Sequence, residues 1–222
     1  MLKKIIKVLL VTAGLALTGV ATAGIVYDNG SADHVFINGI PISDSVSWGE
    51  DDFSFETDTF ITDVHFTVYG DRIGVADITN YGIAYGLYAE SAAGGFPDYT
   101  DFLISDYIGA GITVDSTGFS AGVGFDEYLV SFDLPNPVVA LGGVTYWLTV
   151  QTFTVDGQVF WAASDGLAGN AVFHPGGDPE VFTPALQEMA FQLTGPTVPI
   201  PGTLFLIGIG IAAVATRRWK QA

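Results

Sequence analysis

Apolar and polar residues alternate with a period of two along most of residues 24–195, which predicts β-strands. No long apolar stripe with the period of an α-helix interrupts this pattern. The predicted strands are residues 25–27, 35–37, 50–55, 61–69, 81–89, 102–108, 112–114, 128–134, 144–154, 158–162 and 189–193. Short strands separated by turn residues predict an all-β domain. We expect an antiparallel β-sandwich of jelly-roll type, with an open barrel as the alternative.

The alternation also assigns faces and ends to several strands. Tyr69 is expected to face outward, opposite the apolar residues of its strand. Residues 81–89 carry small residues on one face, which implies close packing or strong coiling there. Pro135 and Pro137 are expected to stop the strand that begins at residue 128, and Asp156-Gly157 predicts a hairpin turn into residues 158–162.

The N-terminus has the three parts of a secretory signal peptide. Lys3, Lys4 and Lys7 precede an apolar stretch over residues 8–20, and Ala21-Thr22-Ala23 supplies small residues at the two cleavage-site positions, Ala21 and Ala23. Residues 1–23 are therefore predicted to be removed by signal peptidase after export.

The C-terminus predicts a membrane segment. A proline-rich linker over residues 196–201 leads into an apolar stretch, so residues 202–222 are predicted to form a transmembrane helix with a basic tail. Arg217, Arg218 and Lys220 would hold that tail on the cytoplasmic side, which leaves residues 24–195 outside the cytoplasm.

This C-terminal segment resembles the PEP-CTERM sorting signal of Gram-negative bacteria. The resemblance rests on Val198, Pro199, Ile200 and Pro201, on Gly202, Thr203 and Leu204, on the glycine-rich stretch 206–210, and on the Arg217-Arg218 pair. Ile200 replaces the central glutamate of the namesake motif. Residues 51–53, 143–148 and 190–195 are similar, more loosely, to β-sandwich bodies in the same family.

The resemblance implies that a membrane enzyme, exosortase, cuts near residues 198–201 and removes the hydrophobic tail. The product would be a surface or exopolysaccharide-matrix protein with a structural or adhesive role and no catalytic activity. A permanent single-span anchor is the alternative for the tail.

Charge is distributed unevenly along the chain. All 24 acidic residues lie between Asp28 and Glu188, where Arg72 is the only basic residue. Such a surface repels nucleic acid and anionic lipid, and it attracts divalent cations. Loop Asp and Asn oxygens are Ca²⁺ ligands, so Asp28, Asn29, Asp51 and Asp52 are candidate ligands for a structural Ca²⁺ ion. The chain contains no cysteine, so its core alone must hold the fold.

Two functional alternatives come from motifs in the body. Trp48, Trp147 and Trp161, together with several tyrosines, would form a sugar-stacking platform in a carbohydrate-binding module. A secreted hydrolase would use Ser120, because residues 118–122 match G-x-S-x-G, with His174 as a partner, or it would use two carboxylates that face each other across a cleft. No helix is predicted after Ser120, so a glycine-rich loop is the favoured interpretation. His34, His65 and His174 lack the spacing of a zinc site.

Overall fold

The computed structural model describes residues 22–35, 38–43, 47–122, 124–165, 169–175 and 183–197. Residues 24–195 form one compact unit. The predicted signal-peptide segment up to Ala21 and the predicted sorting motif from Val198 onward lie outside the described residues. Among those that are described, no helix has the length and hydropathy needed to cross a bilayer.

Strands dominate the compact unit, as the alternating pattern predicts. They are β1 (Thr22–Asp28), β2 (Ile40–Pro41), β3 (Ser47–Ser54), β4 (Thr59–Gly70), β5 (Ile83–Glu90), β6 (Pro97–Ile108), β7 (Thr113–Gly122), β8 (Phe125–Ala140), β9 (Thr145–Thr152), β10 (Val159–Trp161), β11 (Val172–Pro175), β12 (Thr183–Pro184) and β13 (Phe191–Thr197). One helix, α1 (Arg72–Tyr81), follows β4 within the described residues.

The strands form two antiparallel sheets, which confirms an all-β sandwich-like fold. In sheet 1, β4 pairs with β8 on one side and with β13 and β10 on the other; β7, β1 and β2 complete the sheet. Sheet 2 has the order β12-β11-β3-β9-β5-β6. Neighbours along the chain often fall in different sheets, so most pairings join distant segments.

Large apolar side chains from both sheets meet in one core. The Tyr85 ring of sheet 2 lies 4.8 Å from the Phe132 ring of sheet 1, and Phe53 lies 6.1 Å from Phe191 across the same interface. Trp161 is fully buried against Phe191. Burial of such rings supplies roughly 25 cal/mol for each Å² of apolar surface removed from water. A chain without disulfides depends on this core.

Helix α1 contradicts the expectation that the body lacks helices. It begins at an N-cap, where the Asp71 side chain accepts a hydrogen bond from the Gly74 amide at 2.6 Å. Val75 and Ile78 are buried on one side of it. The helix has only 10 residues, so this apolar face is too short to stand out in the sequence.

The proline prediction in β8 is wrong, because this strand continues past Pro135 and Pro137 to Ala140. Its register with β4 shifts between Ile61 and Asp63, where Asp63 pairs with Asp133 but Ile61 pairs with Val138. Both prolines therefore lie in an irregular segment between the pairs at Asp133 and Val138. The ladder between β4 and β8 needs no amide hydrogen from them there.

Three further expectations are corrected by the sheet pairing. Asp156-Gly157 does not close a hairpin, because β9 pairs with β3 and β5 while β10 pairs with β4 and β2. Residues 118–122 belong to strand β7 rather than to a loop. Tyr69, which was expected to face outward, is fully buried because Ala32, Ala162 and Ala190 pack against it.

Candidate functional site

Strand β3 carries acidic residues on both of its faces. Asp51 alternates with Gly49 and Phe53, which face the core, and its side chain is fully buried. Glu50 points to the opposite face and is fully buried as well. Ionisable groups are rarely buried without partners, so each of these carboxylates marks an organised polar site.

The first site is an acidic cluster of Asp51, Asp52 and Glu188. Carboxylate oxygens of these three residues lie within 4.8 Å of one another. The Asn29 side-chain amide donates to Asp51 Oδ2 at 2.8 Å and to Glu188 Oε2 at 3.1 Å. The Met189 amide also donates to Asp51 Oδ2, at 2.6 Å. Residues far apart in the chain are thereby joined at one point.

Electrostatics in the acidic cluster disfavour full ionisation. Burial raises the pKa of Asp51 well above its usual range, and the nearby charge of Glu188 raises it further. Burial and Glu188 also raise the pKa of Asp52, although a hydrogen bond with Asn170 opposes the shift. Carboxylates this close together hold a proton or need a cation to balance their charge. The cluster therefore offers oxygen ligands suited to a hard divalent cation.

Three of the four predicted Ca²⁺ ligands meet in this cluster. The structure brings Asn29, Asp51 and Asp52 together, although the Asn29 side-chain oxygen accepts a hydrogen bond from Tyr27. Asp28 is exposed, and its side chain accepts a hydrogen bond from the Gly30 amide. Glu188 was not predicted, because its contact with Asn29 spans 159 positions and no local motif marks it.

The second site lies around Glu50 on the outer face of sheet 2. Tyr99, Trp48 and Thr149 all donate hydrogen bonds to Glu50 Oε1, at 2.6, 3.0 and 3.2 Å. His174 Nε2 lies 3.1 Å from Glu50 Oε2. The Trp48 ring stacks on the His174 ring with a centroid separation of 4.7 Å. Burial raises the pKa of Tyr99 and the Glu50 charge adds to this shift, so the Tyr99 hydroxyl stays protonated.

A concave pocket of about 220 Å³ opens beside the Glu50 site. Its lining includes three half-buried aromatic rings and several neutral polar side chains, namely Trp48, Tyr88, Tyr99, Ser105, Thr149 and Gln151. The alternation within β3 could have suggested that Trp48 and Glu50 share a face. Their partners come from β6, β9 and β11, which the sequence does not place nearby.

Another concavity, of about 350 Å³, lies over sheet 1. Within it, His34 Nδ1 lies 2.7 Å from the buried Glu127 carboxylate, within hydrogen-bonding distance. His65 also lines it and lies 2.8 Å from the Ser131 hydroxyl, directly across from it in the sheet. Burial lowers the pKa of His65, which favours its neutral form.

The Ser120 form of the hydrolase alternative lacks its expected geometry. Ser120 lies in β7 of sheet 1, without the strand–turn–helix that exposes a nucleophile in G-x-S-x-G enzymes. His174 lies in β11 of sheet 2, where it contacts Glu50 and Tyr99. The structure places these two residues in different sheets and in different polar surroundings.

The three-tryptophan platform is also corrected by burial. Trp147 and Trp161 are fully buried and present no surface to a ligand. Trp48 is half-buried and remains available beside the pocket on sheet 2. Of these three tryptophans, Trp48 alone can contribute to an aromatic sugar site, beside the tyrosine rings that line the same pocket.

Comparison with protein-family profiles gave no match, and comparison with curated proteins gave none. Among solved structures, the chain is similar to a CocE/NonD family hydrolase from Staphylococcus aureus at 10% sequence identity and a TM-score of 0.30. The match covers 70% of this chain and 34% of that protein, so the chain spans about a third of its length.

Proposed function

We propose that this chain is an exported protein that an exosortase-like membrane enzyme sorts to the cell surface or exopolysaccharide matrix of a Gram-negative bacterium. Its body, a sandwich of jelly-roll type, has a structural or adhesive role there. The observation that carries this proposal is the C-terminal sequence, in which Val198-Pro199-Ile200-Pro201 precedes an apolar stretch and the basic residues Arg217, Arg218 and Lys220.

The boundaries of the folded body are compatible with processing at both ends. Strand β13 ends at Thr197, and the motif begins at the next residue. A cut near residues 198–201 therefore leaves every described strand in place. Cleavage by signal peptidase after Ala23 would shorten β1 to residues 24–28, which still carry Tyr27 and its ring contacts with Phe53 and Phe191.

Intact-mass measurement of the exported protein tests the sorting proposal. In cells with the sorting enzyme, we expect a product that starts at Gly24 and ends near residues 198–201. Replacement of Pro199 and Pro201 by Ala should leave the tail attached, whereas Pro196→Ala, outside the motif, should leave processing unchanged. Recovery of wild-type protein from outside the cell with residues 202–222 still attached would contradict the proposal.

We further propose a structural Ca²⁺ ion at the acidic cluster, with Asp51, Asp52 and Glu188 as its carboxylate ligands. The support is the convergence of these carboxylates beside Asn29 at the junction between β3 and the segment preceding β13. Neutralisation by a cation would remove the cost of holding ionised carboxylates in a largely buried place. It would also stabilise a body that carries all 24 acidic residues of the chain.

Thermal melting with Ca²⁺ and with chelator tests this second proposal. We expect Ca²⁺ to raise the midpoint at pH 7.5, and Asp51→Asn to reduce or abolish that rise. In chelator, stability should fall as pH rises above about 3.9, the ordinary Asp pKa. Stability falls in this direction because the pKa values of Asp51 and Asp52 are raised in the folded state, which therefore binds more protons than the unfolded state. Equal midpoints with Ca²⁺ and chelator would count against the site.

A further inference from the structure

The pocket on the outer face of sheet 2 is organised by a single buried carboxylate. Trp48, Tyr99 and Thr149 line the pocket, and each donates a hydrogen bond to the same oxygen of Glu50. Two of the aromatic walls are therefore fixed in orientation before any ligand arrives. Rigid side chains lose little entropy on binding, so this arrangement is preorganised for recognition.

Small residues on β5 create the space. Ala84 lines the pocket, and the Tyr88 ring lies over Gly86, where a side-chain carbon would come within 2.2 Å of that ring. Tyr88 is held in turn by a 2.8 Å hydrogen bond with Ser105 and by an edge contact with Tyr99 at 5.2 Å. The small residues on this face of residues 81–89 thus leave room for a ligand beside fixed rings.

The lining has the chemistry of a saccharide site. A sugar ring presents apolar C–H faces and a rim of hydroxyl groups, which match aromatic rings flanked by neutral hydrogen-bonding side chains. Ser105, Thr149 and Gln151 supply such groups here. The volume, about 220 Å³, is below the range of roughly 300–1,000 Å³ that is usual for drug-sized ligands, so it suits a single sugar unit.

Charge selects against acidic sugars. Asp106 is part of the lining, and acidic residues dominate the body throughout. A uronic acid would bring its carboxylate towards these charges without a nearby cationic side chain among the lining residues. We propose that the pocket framed by Trp48, Tyr88 and Tyr99 binds one residue of a neutral saccharide, with Glu50 as the positioning residue. This inference goes beyond sorting and does not depend on cleavage of the tail.

Titration calorimetry on the full-length protein tests the inference. The probes are neutral hexasaccharides of glucose, mannose, galactose and xylose, with hexagalacturonate as the anionic comparison. We expect at least one neutral probe to bind and hexagalacturonate to bind at least 10-fold more weakly. Ala84→Trp should fill the pocket and weaken binding at least 10-fold. Ala76→Trp, the same change at an exposed position of α1, should leave binding unchanged.

A second pair of variants tests the inference even if Ala84→Trp fails to fold. Gln151→Ala removes a hydrogen-bonding group from this pocket, and Gln192→Ala removes one from the concavity over sheet 1. Only Gln151→Ala should weaken binding, by 3-fold or more, while both variants keep wild-type circular dichroism. Absence of binding to every neutral probe, equal binding of hexagalacturonate, or unchanged affinity in folded Ala84→Trp or Gln151→Ala would each overturn the inference. Failure of tail cleavage would affect only the sorting proposal.

Discussion

At the scale of single residues, two carboxylates face each other across neighbouring strands of sheet 1. Asp63 of β4 lies directly opposite Asp133 of β8. Burial alone would raise the pKa of Asp63, but hydrogen bonds from Thr194, Thr62 and Asp133 outweigh it and lower the pKa. The hydrogen bond to Asp63 and the repulsion from its charge raise the pKa of Asp133. The pair therefore shares a proton more readily than two isolated aspartates would.

Asp133→Asn should stabilise the protein at neutral pH. An asparagine amide can still donate to Asp63, and the repulsion between like charges is removed. Because Asp133 is largely exposed, we expect a gain of only about 0.2–0.5 kcal/mol in the free energy of unfolding. Urea unfolding at pH 7.5 measures it.

The pH dependence of the stability gain in Asp133→Asn distinguishes repulsion between Asp63 and Asp133 from a general effect of net charge. With a raised folded-state pKa, the repulsion destabilises wild-type protein above the ordinary Asp pKa of about 3.9 and disappears as the group becomes protonated. The gain should therefore shrink towards pH 4. Asp115→Asn is the matched control, because Asp115 is exposed and lies opposite Leu129 rather than a carboxylate. A gain of equal size in this control would refute the pairwise explanation.

At the scale of elements, α1 is held by a cap that joins it to a distant loop. Asp71 accepts from the Gly74 amide through Oδ1 and from the Gln158 amide through Oδ2. Gly74 has no room for a side chain, because an added carbon would lie 2.6 Å from the Gln158 carbonyl oxygen. The helix thus packs backbone to backbone against the segment that leads into β10.

Asp71→Ala should lower the free energy of unfolding by about 1–2 kcal/mol, since it removes the cap and the contact with Gln158 together. Asp71→Asn is the matched variant. Its amide oxygen can still accept from Gly74, so it should recover at least half of the loss. Urea unfolding of the three proteins provides the comparison, and an Asp71→Ala protein as stable as wild type would show that the cap contributes nothing.

At the scale of the whole molecule, charge and core act in opposite directions. Between Asp28 and Glu188 one arginine faces 24 acidic residues, and this excess opposes compaction while keeping the surface soluble. The buried aromatic core between the sheets must overcome it, since no disulfide assists. A cation at the acidic cluster would reduce the charge repulsion that opposes the core. We therefore expect Ca²⁺ to change the stability of the whole body rather than that of one loop.

Local pattern was enough to predict the class of fold and several faces. Alternation identified β4 and β9 correctly, because a period of two in side-chain burial is a property of any half-buried strand. It failed at Pro135, at Asp156-Gly157 and at α1. The end of a strand, the pairing of a hairpin and the formation of a short helix depend there on which segment packs alongside. Acidic residues near Asn29 could be singled out as cation ligands, but their partner Glu188 could not.

The amino-acid sequence shows the alternating strands, the acidic character of the body, an N-terminal segment with the pattern of a signal peptide, and a C-terminal segment that resembles a sorting signal. These features are encoded in neighbouring residues, so they can be read without knowing the pairing. Folding establishes which strands pair. It buries Asp51 and Glu50 on opposite faces of β3, and it brings Trp48 to the same pocket as Tyr88 and Tyr99. Such sites join residues far apart in the chain, and their geometry arises only when the two sheets assemble.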